Sequence, residues 1–184
     1  MNRILCLMAL LCVCVSAAGQ KLKPLNIGDT LPDMVLHHVL NYKDSVVSLS
    51  DFKDKLLILD FWATWCGSCL KGMPKMDSLQ TEFKNNLQVL FINPKISGDS
   101  SAKIKATVQR IESGLHKKLS VPVIMYDTAA TAHFKFRLVP HYVWIKNGVV
   151  IAITHKAQVT EANIRAIING QKISLPVKND YLQQ

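Results

Sequence analysis

The tetrad Cys66-Gly67-Ser68-Cys69 stands directly after the apolar run "LLILDFWA". Cysteines three positions apart lie across one helical turn, so the pair can close a disulfide or share a metal ion. The remaining cysteines separate these two chemistries. Of the five in the chain, Cys6, Cys12 and Cys14 belong to an N-terminal apolar segment, leaving Cys66 and Cys69 for everything after it. A structural zinc site needs four ligands and usually a second such pair. None follows, and the adjacent His37 and His38 are poorly placed to chelate one ion together. The tetrad therefore reads as a redox-active disulfide, Cys66–Cys69, that uses no metal and no cofactor. Unpaired backbone N–H groups and the helix dipole favour a thiolate at a helix start. Thiols so placed titrate at roughly 3.5–7, against about 8.5 for a free cysteine. Cys66, expected to be exposed at that start, is assigned as nucleophile; Cys69, one turn behind, resolves the mixed disulfide.

The flanking sequence must position this pair. "LLILDFWA" is apolar almost throughout, as in a strand buried on both faces. After Cys66 the apolar residues Leu70, Met73, Met76, Leu79 and Phe83 recur at helical spacing, with Pro74 expected to kink the helix. "LQVLFIN" and "VPVIMYD" read as two more strands, separated by a helix that starts in the Ser97–Ser101 polar cluster and runs to about Gly114. A short helix over "TAATAHFKF" precedes "HYVWIKNGVVIAITH", two strands joined by a tight turn at Lys146-Asn147-Gly148. Thr160 caps a last helix that ends at Gly170. Upstream, "MVLHHVL" and "SVVSLS" suggest a hairpin. The order is that of an α/β domain with helices on both faces of a mixed sheet.

At the N-terminus, Met1-Asn2-Arg3, the apolar run Ile4–Val15 and the small residues Ser16-Ala17-Ala18-Gly19 make a secretory signal peptide over residues 1–19, cut near Ala18 or Gly19. The run is shorter than the roughly 20 residues that span a bilayer. Export places the protein in a periplasm or cell envelope, where disulfides persist. The formal net charge is +9. Its lysines are scattered, and no helix-turn-helix or zinc-finger spacing accompanies them, so no nucleic-acid partner is expected.

"LLILDFWATWCGSC" followed by Pro74, with "RLVPHYVWIKNGVVI" near the end, resembles a thioredoxin-fold protein. The lead-in "IGDTLPDMVL…VVSLSDFKDK" is similar to that of the exported TlpA/ResA-like thiol–disulfide oxidoreductases. The resemblance implies a thioredoxin-like domain over residues 20–170, with a mixed central sheet, helices on both faces, an N-terminal β-hairpin extension (20–50) and a helical insertion in the middle; 171–184 is a C-terminal tail. It implies protein disulfides as substrates, a membrane electron donor, and a monomer. It assigns proton transfer at Cys69 to Asp60, which an isolated reading would place at a surface strand end. Pro140 becomes a cis-proline facing the cysteines, and Val139 offers its backbone to a substrate peptide beside Trp65, Gly67 and Ser68. Trp62 packs beneath. Three positions depart from the family pattern: the dipeptide is Gly-Ser rather than Gly-Pro, Gly72 replaces a glutamate, and Phe91 stands where thioredoxin has a lysine below its buried acid. His141 has two readings, a protonated ring stabilising the Cys66 thiolate or a solvated loop histidine.

The expected activity is reduction of protein disulfides, with a disulfide oxidant or isomerase as the runner-up, and two further rivals stand against it. A peroxiredoxin needs Thr or Ser three residues before its reactive cysteine and Pro seven before, where this chain has Ala63 and Leu59. A redox-inert binding module would have lost a cysteine or the proline, and this chain keeps them.

Overall fold

The computed structural model describes residues 23–178 and 180; the signal segment 1–19 lies outside them. The lead-in ends in β1 (Val35–His37) and β3 (Val46–Ser48), an antiparallel two-stranded hairpin, and between them β2 (Val39–Leu40) turns away to the main sheet. The cysteine-bearing segment follows as β4 (Leu56–Phe61), α1 (Gly67–Leu70) and α2 (Met73–Glu82). Then come β5 (Leu87–Pro94), α3 (Ser101–Leu115), β6 (Val123–Asp127), α4 (Ala129–His133), β7 (His141–Lys146), β8 (Val149–Thr154) and α5 (Glu161–Ile168).

The six-stranded sheet runs β2-β6-β5-β4-β7-β8. Its centre, β6-β5-β4, is parallel and is linked by helical crossovers, while β2, β7 and β8 are antiparallel to their neighbours. This is the thioredoxin fold expected from the resemblance. β4 and β5 are buried along their whole length, which explains their unbroken apolar sequences.

Alternation along β4 divides the core. Leu56 and Ile58 face α2, α3 and α5 together with Met76, Ile104 and Ile164. Leu57, Leu59 and Phe61 face the hairpin residues Leu36 and Val47 and the short α4. Helices thus lie on both faces, but the second face is covered mainly by the N-terminal extension. The insertion expected in the middle is α3, capped by the Ser100 hydroxyl, which accepts the Lys103 N–H at 3.3 Å.

Pro74 acts differently from the expected kink. The helix stops at Leu70 and restarts at Met73, with the proline in the first turn of α2, where its missing N–H leaves no bond unmade. The β7–β8 turn is Asn147-Gly148, both at positive φ, as a tight antiparallel connection requires. Beyond α5 the described residues of the tail form no regular element, yet the Lys178 N–H donates to Ile153 O at 2.9 Å, bringing the tail alongside β8.

Candidate active site

β4 leaves the sheet at Phe61 and delivers the cysteine loop to the C-terminal end of the parallel strands, where open α/β sheets place their sites. The Trp62 N–H donates to Ile92 O at 3.0 Å, continuing the strand direction. The Asp99 carboxylate then holds the loop. It accepts the Thr64 N–H at 2.8 Å and the Thr64 hydroxyl, and from its own side Asn93 Nδ2 at 2.8 Å and Ser97 Oγ at 3.2 Å. Burial would raise the Asp99 pKa, but these donors outweigh it and hold the carboxyl below its ordinary value. Trp65 donates from Nε1 to Ser97 O at 3.2 Å and keeps its ring 63% exposed beside the cysteines.

Cys66 and Cys69 form a disulfide. Cys66 is the N-cap of α1, and the Cys69 N–H points at its sulfur from 3.2 Å. In the reduced protein that donor and the α1 terminus stabilise a thiolate on Cys66. Ser68 Oγ lies 3.6 Å from the same sulfur, and a Cβ on Gly67 would meet nothing. The expected exposure of Cys66 is corrected: the residue is only 6% exposed, because the disulfide packs into the apolar cluster with Trp62, Ala63 and Met73.

Asp60, next to last in β4, is 3% exposed and faces Tyr142 across the β4–β7 ladder. Its Oδ1 has no hydrogen-bond partner. Burial pushes its pKa well above the ordinary value, against the opposing pull of the Lys156 charge and the Tyr142 hydroxyl. The same contact, with burial, raises the Tyr142 pKa. Phe91 is its ladder neighbour on β5, so the cation near Asp60 comes from elsewhere in the chain. It is Lys156, whose Nζ donates to Ser68 O at 3.0 Å. Gly72 makes room for it: a Cβ there would come within 3.3 Å of the lysine Cε.

Just before β7, the Val139–Pro140 peptide is cis. Val139 joins Trp65, Ile96, Phe136 and Arg137 around a groove of about 470 Å³. His141 departs from both of its sequence readings. It is the first residue of β7 and fully buried, on the sheet face opposite the cysteine cluster, stacked on Phe136 at 4.8 Å and edge-on to Phe61 at 5.7 Å. Burial, then the nearby Lys178 charge, pull its pKa down to about 3, so at neutral pH it is an uncharged ring.

The residues Cys66, Gly67, Ser68, Cys69, Asp60, Trp65, Val139 and Pro140 thus converge on one end of the sheet. Sequence reasoning passed over Asp99, Lys156 and Lys178. Asp99 hid inside the polar cluster read as a helix start, and the lysines carry no local signal because their partners are 88 and about 40 residues away. Among the described residues no group of three or more His, Cys, Asp or Glu is placed to hold a metal ion.

Residues 27–153 match the AhpC/TSA family. The thioredoxin-like protein YneN of Bacillus subtilis is 29% identical over 124 residues, 67% of this chain and 68% of YneN. The thiol-disulfide oxidoreductase ResA of Geobacillus kaustophilus is 35% identical over 81 residues, covering 42% of this chain and 45% of ResA, less than half of that relative. Among solved structures, the thiol:disulfide interchange protein DsbE of Chlorobium tepidum superposes with a TM-score of 0.59 at 26% identity, over 79% of this chain and 97% of that one. The resemblance to ResA-like proteins drawn from the motifs is borne out by these relatives.

Proposed function

This chain belongs to the AhpC/TSA family, and we propose that it is an exported thiol–disulfide oxidoreductase that reduces protein disulfides through Cys66 and Cys69. The observation that carries the reading is a disulfide whose first cysteine caps a helix, set between a buried carboxylate and an apolar groove. ResA and DsbE, named for thiol–disulfide chemistry, support it.

In the reducing direction the Cys66 thiolate attacks one sulfur of a partner disulfide. The Cys66–partner bond forms as the partner's own S–S bond breaks, and its second sulfur leaves as a thiolate. Cys69 gives its proton to the Asp60 carboxylate, for which a raised pKa makes a better base. The Cys69 thiolate then attacks Cys66, closes the disulfide and expels the first partner sulfur. Two electrons pass to the partner, whose thiolates take up protons from Asp60 and water. Val139 and the groove hold the partner chain; a membrane electron donor restores the dithiol. The signal over residues 1–19 supports export to a cell envelope.

The reduction potential of the Cys66–Cys69 pair, titrated in the mature protein against a thiol–disulfide buffer, tests the direction. A value near about −270 mV supports the reductase, and one near about −120 mV makes it an oxidant. Trapping tests the chemistry: Cys69→Ala should accumulate partners joined through Cys66. An absence of covalent partners would favour a binding module, and fast peroxide turnover with a thiol reductant would favour a peroxidase.

A further inference from the structure

Resting on that functional reading, we propose that Lys178 and Asp180 in the C-terminal tail are positioning residues for the substrate-binding loop Leu138–Val139–Pro140. The Lys178 side chain is 2% exposed. An ammonium removed from water must be matched by charge and acceptors, or it would be neutralised or expelled. Here three of the acceptors belong to the loop or to the tail itself. Lys178 Nζ donates to Leu138 O, to Pro140 O at 3.1 Å and to the Asp180 carboxylate at 2.7 Å. Asp180 closes the circuit by accepting the Leu138 N–H at 3.3 Å.

The tail therefore grips the peptide groups on either side of Val139, and Val139 is the loop residue that lines the groove. Val139 packs against both core clusters, whereas Leu138 beside it is 68% exposed and takes its fixed contacts from the tail. Beneath it, His141 Nδ1 lies 3.4 Å from Lys178 Nζ and serves as an acceptor on a neutral ring. The tail is anchored in turn by the Lys178 N–H on Ile153 O. A buried ion pair is a poor device for stability alone, because well-packed apolar residues often replace one without loss. Its value here is directional: two carbonyls and one amide fixed beside the groove, so that a partner peptide meets an ordered backbone rather than paying to order it.

The test uses the mature protein carrying Lys178→Met with Asp180→Asn, so that no lone charge is left buried. Two rates are compared with the parent: reduction of an unstructured peptide disulfide, and alkylation of reduced Cys66 by iodoacetamide, which needs no loop. KM for the peptide should rise about tenfold, equivalent to 1.4 kcal/mol of binding, with kcat and the alkylation rate within about twofold of the parent. An unchanged KM overturns the proposal, and so does a parallel fall in alkylation, which would tie the tail to the thiol instead. If that variant does not fold, Asp180→Asn alone should speed hydrogen exchange at the Leu138 amide and raise KM; no change in either overturns it. A parent that reduces no peptide disulfide would instead sink the functional reading.

Discussion

Asp60, the proposed proton acceptor, is a single buried carboxyl group near the end of β4. Its Oδ1 has no hydrogen-bond partner, and the Lys156 charge and the Tyr142 hydroxyl oppose the effect of burial. Its pKa is raised in the fold, so the folded protein keeps a proton that the unfolded chain releases. The associated stability is fully present below the ordinary carboxyl pKa and is lost as pH rises through the raised one. Asp60→Asn should therefore stabilise the oxidised protein more at neutral than at acid pH, because the amide neither ionises nor has to keep a proton in the fold. Subtracting the variant's stability–pH curve from the parent's should show the decline with rising pH. The same variant should slow release of the mixed disulfide by roughly 100-fold, because Cys69 loses its proton acceptor, while the first attack by Cys66 proceeds at its normal rate. Denaturant unfolding across pH and rapid-quench trapping of the mixed disulfide measure the two effects.

Among the elements, the turn between β4 and α1 depends on a neighbour. Thr64 is held by the Asp99 carboxylate and the Trp65 indole by Ser97 O, both reaching from the segment that follows β5. Asp99→Ala would leave the Thr64 N–H without its acceptor and Asn93 Nδ2 with only the longer bond to Trp62 O at 3.4 Å. A loss of about 2–3 kcal/mol is expected, on the scale of breaking a buried hydrogen-bond network. Trp65 should become more mobile at the same time, because Ser97, which holds its indole N–H, is itself tied to Asp99. Lower steady-state fluorescence anisotropy of Trp65, measured in a background without Trp62 and Trp144 provided that background folds, reads this directly. Unchanged anisotropy would detach Asp99 from the positioning of Trp65. The broken helix belongs to this scale too: Pro74 starts α2 rather than bending a single helix, which leaves α1 as a short turn carrying both cysteines.

For the molecule as a whole, the sheet carries the redox pair on one face and a buried neutral histidine on the other. His141 has a folded pKa near 3, so the native state stays uncharged while the unfolded chain binds a proton below about 6.5. Its contribution to stability is present above the unfolded value and is lost as pH falls toward 3. His141→Asn should flatten the acid limb of the stability curve between about pH 6 and 4, whatever it does to absolute stability. Thermal unfolding followed across that range is the check, and an acid limb of unchanged slope would refute the buried, neutral assignment. Asp60 acts in the opposite sense over an overlapping range, so the two single variants should change the curve in opposite directions.

The sequence by itself determined the order of elements and the chemistry at their centre. The apolar continuity of "LLILDFWA" and "LQVLFIN" announces strands buried on both faces, and Thr160 and Gly148 mark a cap and a turn through local backbone preferences. Cys66 and Cys69 are legible because one helical turn joins them. What tertiary structure alone decided are the long-range partners. Lys156 meets Ser68, Asp99 meets Thr64, and Lys178 meets the loop around Val139. The facing of His141 was decided in the same way, because strand register sets which face a residue occupies and one step moves it to the other side. Periodicity reports burial and local geometry. A charge's partner is selected by the packing of distant segments, and no short window of sequence records that choice.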